Sequence, residues 1–590
     1  MFGKVLVANR GEIAIRVMRT LAELGIASVA VYSEPDRDAL HVRRADEAYL
    51  LGPGAPSQSY LAVEKIIDAA QRAGAEAIHP GYGFLAENAA FARACDEAGI
   101  VFIGPPADAI EAMGSKTRAR ELMKGAGVPI VPGTTDPVDT VEDAARVIDE
   151  AIGYPVAIKA SGGGGGKGFR VALEADELEK AFEGAAREGE KFFSDPTVYI
   201  ERYLPDPRHV EVQVLADSKG NVIHLGERDC SVQRRHQKLI EESPAPAVDD
   251  ALRERIGSIG TEAARAVGYR SAGTVEGLLA DGEYFFLEMN TRVQVEHCVT
   301  EMTTGIDIVR EQIRIAAGEK LSIAQEDVSL HGHAIECRIN AEDASKNFAP
   351  APGTIGGYRE PAGPGVRLDS GVESGSEVTP LYDPLIAKLI VWDVDRDSAT
   401  RRMIRALGEF ELGGVRSLIP FHIALLGTEQ WARGETCRDL IEDRQWLKQF
   451  AEPKPEPAPE GEEEPQVERS YAVEVSGRRF DVKVVGAAPG VDGAAPAQAG
   501  ARRAPPRRRE RGGAGAGGGA PGTLVSPIQG TVLRVAVEQG AEVEEGALIV
   551  VIEAMKMENE ITAPAAGKVE ELNVTEGGSV STGDTIAVIK

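Results

Sequence analysis

Cysteine is scarce in this chain, five residues in 590, and the five are scattered. That excludes a disulfide framework and the usual cysteine-based zinc spacings. Aromatic residues reach only 5%, and no apolar run is long enough to span a bilayer as a helix, so no membrane role is expected. Positive charge is also short: 65 Lys and Arg stand against 93 Asp and Glu, a net charge of −28. Phosphate backbones need the opposite sign, which argues against a general nucleic-acid binder. The first strand-like run, Val5-Leu6-Val7-Ala8, is not followed by G-x-G-x-x-G, so a dinucleotide site is unsupported. That strand begins almost at Met1 and leaves no room for a leader peptide. A cytoplasmic protein is the expectation.

The length and the 43% apolar, 27% charged composition fit a globular chain of three to five domains. Residues 1–114 alternate strand and helix, including a helix Ile13 to Leu24 and a unit at Ala77-Ile78-His79-Pro80-Gly81-Tyr82-Gly83. That pattern is doubly wound α/β. A smaller unit is expected over 115–204 and a larger mixed one over 205–450. Residues 451–522 change character: a Pro- and Glu-rich stretch, a β-hairpin at 469–486, then Ala, Gly and Pro with a basic knot of Arg502-Arg503 and Arg507 to Arg511, broken by Glu510. This reads as a flexible tether.

Residues 523–590 contain an internal repeat. Pro527, Gly530, Val532, Val537, Gly540, Val543, Gly546, Ile549 and Val551 recur as Pro564, Gly567, Val569, Val574, Gly577, Val580, Gly583, Ile586 and Val588. Alternating apolar residues broken by glycine predict short half-buried strands, and two such halves should pack as a pseudo-twofold flattened barrel. Glu553-Ala554-Met555-Lys556-Met557 lies between the halves. It resembles the attachment motif of a biotinyl carrier domain. The resemblance implies covalent biotin on Lys556, placed there by a biotin protein ligase. A lipoyl carrier would share the fold; methionine on both sides of the lysine favours biotin.

Two signals mark the chemistry of the larger part. Ser161-Gly162-Gly163-Gly164-Gly165-Gly166-Lys167-Gly168 lies between two strand-like runs. Five glycines in a row cost backbone entropy on ordering, and they make sense as a flap whose N–H groups close over phosphates. The second signal is the pair Thr274-Val275-Glu276-Gly277-Leu278 and Tyr284-Phe285-Phe286-Leu287-Glu288-Met289-Asn290. A three-residue turn at Asp281–Glu283 would set Glu276 opposite Glu288, with Asn290 on the same face. Such hard oxygen ligands suit Mg²⁺, and opposed carboxylates without a cation repel. Arg292, Gln294 and Glu296 continue the alternation if the chain stays extended.

With Lys159 on the strand before the flap and Lys116 upstream, these features resemble the ATP-grasp superfamily and, within it, biotin carboxylase. The resemblance runs from Met1 to about Trp446. It rests also on Glu211-Val212-Gln213, on Arg228-Asp229-Cys230-Ser231-Val232-Gln233-Arg234-Arg235-His236-Gln237-Lys238, and on Glu336-Cys337-Arg338-Ile339-Asn340. It implies that ATP is held by Lys116, Lys159, Glu201, His209, Gln233, His236 and the flap Gly163, Gly164, Gly165, Gly166 and Lys167. Lys159 would lie near the phosphates and His209 near the base. Glu276, Glu288 and Asn290 would bind Mg²⁺ or Mn²⁺. Arg292, Gln294, the backbone of Val295 and Lys238 would hold bicarbonate and carboxyphosphate. Glu296 would be the general base, and Arg338 would stabilise the enolate of biotin.

A carboxylase and its carrier on one chain imply the α subunit of an acyl-CoA carboxylase. A separate carboxyltransferase β subunit would act on acetyl-CoA, propionyl-CoA or a related thioester, as in malonyl-CoA formation for fatty acid biosynthesis. The family also implies a dimer of carboxylase domains within a larger α/β hetero-oligomer. Region 451–522 is shorter than the middle domain of the longer α subunits, and the carrier lacks a thumb insertion. A split pyruvate carboxylase subunit would share every motif. A biotinylated scaffold with an inactive ATP-grasp core is the alternative of another class.

Overall fold

The computed structural model describes the chain apart from residues 135, 165–166, 194–195, 236, 452–465, 476–477, 488–522, 527–529, 545, 555–556, 577, 581–583 and 590; side chains at 116–117, 161–167, 191–193, 466–487, 530–531, 553–560 and 579 also stand outside the description. The chain forms two compact units, the larger spanning Met1–Ala451.

The larger unit opens with a parallel five-stranded sheet. Its order is Glu47–Gly52, Ala27–Ser33, Lys4–Val7, Ala77–His79, Val101–Phe102. Helices flank both faces, because strands such as Lys4–Val7 bury Val5, Leu6 and Val7 alike. The order reverses between Lys4–Val7 and Ala77–His79, the point at which sheets of this kind form a crevice at the carboxyl ends of the strands. Asn9 lies there and donates to the carbonyls of Pro80 and Tyr82, each at 2.7 Å, pinning the Gly81-Tyr82-Gly83 loop. The helix expected from Ile13 to Leu24 spans Gly11–Glu23.

An antiparallel sheet of Lys167–Ala172, Val156–Gly164 and Val198–Arg202 packs on the helix Leu178–Phe193. The largest sheet of this unit is eight-stranded and antiparallel. It is ordered Glu283–Asn290, Ser271–Ala280, Arg208–Ala216, Val222–Arg234, Gln237–Ser243, His333–Asn340, Leu385–Asp393, Val366–Ser370. Hydrophobic clusters around Val212, Val275 and Phe286, and around Ile335, Leu389 and Phe421, stabilise its two halves. A long sheet with apolar packing can hold polar side chains in a shared row, and the candidate site is built that way.

The smaller unit contains a hairpin of Gln466–Val475 and Arg478–Ala487 and two four-stranded sheets. One sheet is Thr523–Val525, Thr585–Ile589, Gly567–Leu572, Glu542–Val543; the other is Met557–Thr562, Leu548–Ala554, Gly530–Val535, Ser579–Val580. Each sheet takes strands from both repeats, so neither repeat closes a core alone. The repeat partners Val532 and Val569, and Ile549 and Ile586, are buried together. Lys556 lies outside the described residues.

Candidate active site

The hairpin Ser271–Ala280/Glu283–Asn290 places Glu276 opposite Glu288, as its alternation predicts, but by a different route. The turn has two residues, Asp281 (φ 51°) and Gly282 (φ 76°), both left-handed as a tight hairpin of this length requires. From Ala280↔Glu283 to Gly277↔Phe286 the register is that of a two-residue turn. The shift between Gly277 and Glu276 leaves Leu287 as an extra residue, a β-bulge that restores the carboxylate pair.

The expected extended run beyond Asn290 does not persist. The strand ends there, and Glu296 becomes the residue preceding the helix His297–Thr304. Glu87 draws the chain off the sheet, accepting from the Thr291 N–H (2.9 Å) and from Arg292 Nε (2.9 Å). Arg292 also donates to Asn290 Oδ1 at 2.9 Å. Gln294 and Glu296 nevertheless face the hairpin carboxylates. Gln294 Nε2 donates to Glu276 Oε1 at 2.5 Å, and Asn290 Nδ2 to the same oxygen at 2.8 Å.

Lys238 sits at the centre, almost wholly buried. Its ammonium donates to Glu211 Oε2 (2.5 Å), to Glu276 Oε1 (3.0 Å) and to Glu296 Oε1. Burial works against its charge, but Cys230, Glu211, Glu296 and Glu276 outweigh that and push Lys238 well up. The carboxylates respond in kind. Burial would raise Glu276, yet Lys238 and His209 hold it far below the usual carboxylate range. Glu296 is lowered in the same way, by Lys238 and Arg338 against burial. Arg338 donates to Glu241 Oε1 (2.6 Å) and Glu296 Oε2 (2.9 Å), so Glu296 is gripped by two cations.

Sequence reasoning assigned no role to Arg228, Glu211, Glu87, Glu241 or Arg120. Arg228 is fully buried and spends its guanidinium on Glu211 (2.6 Å), Gln213 (2.8 Å), Thr300 (3.0 Å), Thr274 (3.2 Å) and Gln294 (2.8 Å). The signal was present: Glu211, Gln213 and Arg228 are charged or polar residues at inward positions of apolar strands. A buried charge is tolerated only when paired.

Around this centre, His209 Nε2 lies 3.0 Å from Glu276 Oε2 and 3.7 Å from Glu211 Oε2. Gln233 stands opposite Lys238 in strand register. In the three-stranded sheet Lys159 pairs with Glu201, whose other oxygen is 3.1 Å from Arg120 Nη1. His236, Gly165 and Gly166 lie outside the described residues, as do the side chains of Lys116 and Lys167 and the environment of Gly163 and Gly164. The opposed Glu276 and Glu288, with Asn290 bonded to Glu276, are a hard-oxygen donor set, and these residues fit Mg²⁺.

Glu342 follows the Arg338 strand and is buried, with Gln237 Nε2 and Asn340 Nδ2 donating to Oε1 at 3.3 Å each. Burial and Asp383 push its pKa up to about 7. The folded state therefore prefers the protonated acid. It loses stability as pH rises from the usual glutamate value to about 7, and the loss is constant above that. Glu342→Gln is expected to stabilise the protein by about 1–3 kcal/mol at pH 8 and by nothing measurable at pH 4.5. Thermal midpoints at the two pH values check this; an equal effect at both would refute it.

A three-stranded antiparallel sheet that carries the glycine run, together with a carboxylate-bearing antiparallel hairpin, is the arrangement of the ATP-grasp fold. The family comparisons agree. The N-terminal domain of biotin carboxylase matches residues 1–110, the ATP-binding domain of carbamoyl-phosphate synthase L chain 115–324, the biotin carboxylase C-terminal domain 336–443, and the biotin-requiring enzyme domain 520–589. The biotin-dependent acyl-coenzyme A carboxylase alpha3 subunit of Mycobacterium leprae is 46% identical over all of this chain and 98% of its own. That match runs through 451–522, so the short middle region is shared. A pyruvate carboxylase subunit from Methanothermobacter thermautotrophicus is 57% identical over 75% of this chain and 90% of its own. Among solved structures, the biotin carboxylase domain dimer of Hydrogenobacter thermophilus 2-oxoglutarate carboxylase, with MgADP, ADP and bicarbonate, is 52% identical with a TM-score of 0.69. It covers 77% of this chain and 100% of that one.

The chain belongs to the biotin carboxylase family, with a biotin-requiring domain on the same chain, and over its full length it is similar to the α subunit of a biotin-dependent acyl-CoA carboxylase. It is an ATP-dependent ligase. Among the described residues, no helix is long and apolar enough to cross a membrane.

Proposed function

We propose that the Lys238 centre carries out ATP-dependent activation of bicarbonate, with Glu296 as the base. The observation that supports this reading most strongly is the convergence of Glu276, Glu296, Lys238 and Arg338 within hydrogen-bonding distance. Bicarbonate is a poor nucleophile. Glu296 removes its proton; Arg292, Gln294 and the Val295 backbone hold it; its oxygen then attacks the γ-phosphorus as the bond to ADP breaks. Lys238 balances the charge of the resulting carboxyphosphate. Magnesium, held by Glu276, Glu288 and Asn290, would neutralise the phosphate oxygens of ATP. The glycine flap with Lys167, together with Lys116, Lys159, Glu201, His209, Gln233 and His236, would hold the nucleotide and exclude water. Biotin on Lys556 would supply the ureido nitrogen that takes the carboxyl group as the C–O bond of carboxyphosphate breaks, the departing phosphate taking the ureido proton, and Arg338 offers a fixed cation to the developing oxyanion.

In the cytoplasm, a dimer of carboxylase domains would then serve a separate carboxyltransferase subunit that takes a CoA thioester such as acetyl- or propionyl-CoA. The full-length likeness to an acyl-CoA carboxylase α subunit favours this acceptor over pyruvate. Incubation of the biotinylated protein with labelled bicarbonate, Mg²⁺ and ATP tests the chemistry. ATP-dependent acid-labile label is expected on wild type, and none on Lys556→Ala. Absence of label from wild type with biotin confirmed at Lys556 would overturn the reading.

A further inference from the structure

Lys388 is a fully buried lysine for which the chemistry above has no task. It lies on the strand Leu385–Asp393, directly across from Arg338 on one side and Asp369 on the other. Its ammonium donates to the carbonyl of Val295 at 2.8 Å and to Cys298 Sγ at 3.1 Å, and stands 3.3 Å from Glu12 Oε1 and 4.0 Å from Asp369 Oδ2. Burial disfavours its charge, but Cys298, Glu12, Glu336 and Asp369 together more than offset this, and its pKa is raised.

The choice of acceptor is informative. The Val295 carbonyl and the Glu296 N–H belong to one planar peptide unit. Cys298 is in the first turn of the helix that begins after Glu296. Lys388 therefore clamps the peptide before Glu296 and the turn after it. Neutralising Glu12 and Asp369 would not in itself require a bond to that carbonyl. The anchor is stiff, since Lys388 is held in a paired central strand. Its ion-pair partner Glu12 is also tied to the Gly81-Tyr82-Gly83 loop, because the Tyr82 hydroxyl donates to Glu12.

We propose that Lys388 is a positioning residue for Glu296: it fixes the orientation of the 295–296 peptide, and with it the direction in which the base and the Val295 backbone face bicarbonate. This rests on the assignment of Glu296 as base. The test compares Lys388→Met/Glu12→Gln, in which the carboxylate left by the lysine is also neutralised, with Glu12→Gln, Lys388→Arg and Glu296→Ala in the full biotinylated chain. The readouts are kcat and the KM values for bicarbonate and ATP in bicarbonate-dependent ATP cleavage.

The double variant is expected to lose about 30- to 100-fold in kcat, the scale of a misplaced reacting group, with KM for ATP within about two-fold of wild type. Glu12→Gln keeps the clamp and should retain wild-type kcat; Lys388→Arg keeps a donor and should recover most of the loss. A folded double variant with near wild-type kcat overturns the proposal, as does a parallel rise in KM for ATP. Should the double variant not fold, Glu12→Gln decides: wild-type kcat sustains the clamp, and a loss as large as that expected of the double variant places the effect in the charge network instead. An active Glu296→Ala would refute the base, whereas an inactive Glu296→Ala beside an active double variant would refute only the role of Lys388.

Discussion

Glu296→Ala is expected to lower biotin carboxylation by about 10²- to 10⁴-fold, the contribution of a positioned general base, while leaving ATP affinity nearly unchanged. The structure explains why the two effects should separate. Glu296 is bonded to Lys238 and Arg338, and neither cation is stranded by its removal. Lys238 retains Glu211 and Glu276, and Arg338 retains Glu241. The variant should therefore fold with its charges paired. In wild type the two cations hold Glu296 ionised at neutral pH against the cost of burial. Under the proposed mechanism, anionic substrates engaging Lys238 and Arg338 would draw those partners away, and the carboxylate would become more basic when a proton has to be taken. Bicarbonate-dependent ATP cleavage measures the first effect and calorimetric ATP binding the second. A matching loss of ATP affinity would refute the assignment.

Lys238→Met should act on both stability and turnover. Methionine fills similar space without the charge, so Glu211, Glu276 and Glu296 lose their common partner. Removing one member of a buried ionic network leaves uncompensated charge and costs about 3–5 kcal/mol. Arg228 for Glu211, His209 for Glu276 and Arg338 for Glu296 remain as partial compensation. The deficit has a predictable pH dependence. Without Lys238 the buried carboxylates bind protons more readily than in wild type, so lowering the pH from 8 toward 5 neutralises them and narrows the gap. Thermal midpoints of the two proteins at pH 8 and pH 5 measure it. Equal midpoints at pH 8, or a gap that widens on acidification, would show that Lys238 is not the shared counterion. Carboxylation should be lost at either pH, since the variant lacks the cation proposed to balance carboxyphosphate.

The parts of this protein that were legible in its sequence are those governed by local rules. The alternation in Tyr284–Asn290 put Glu288 and Asn290 on one face, and the repeat at 527–590 foretold the interlocked sheets of the smaller unit. The turn at Asp281 was misjudged by one residue, and the bulge at Leu287 corrected the register, because bulges answer to sheet twist rather than to sequence spacing. The path after Asn290 was misjudged for a related reason. Glu87, from the first sheet's unit, diverts the chain, and a contact so remote in sequence leaves no periodic trace.

The chemistry available to the chain was settled by its residues in order: glycines before Lys167, carboxylates on a hairpin, a lysine between repeats. Motif spacing and side-chain period operate over a few residues, and they act before any fold exists. What folding added is the pairing. Glu211, Lys238, Glu276, Glu296 and Arg338 come from separate segments, and Lys388 reaches Val295 across 93 positions of the chain. Sheet order and the first turn of one helix bring these groups within about 3 Å, and there burial makes every charge depend on its neighbours. That dependence holds Glu296 ionised and Lys238 charged and raises the pKa of Glu342, and it arises from distance and dielectric rather than from sequence.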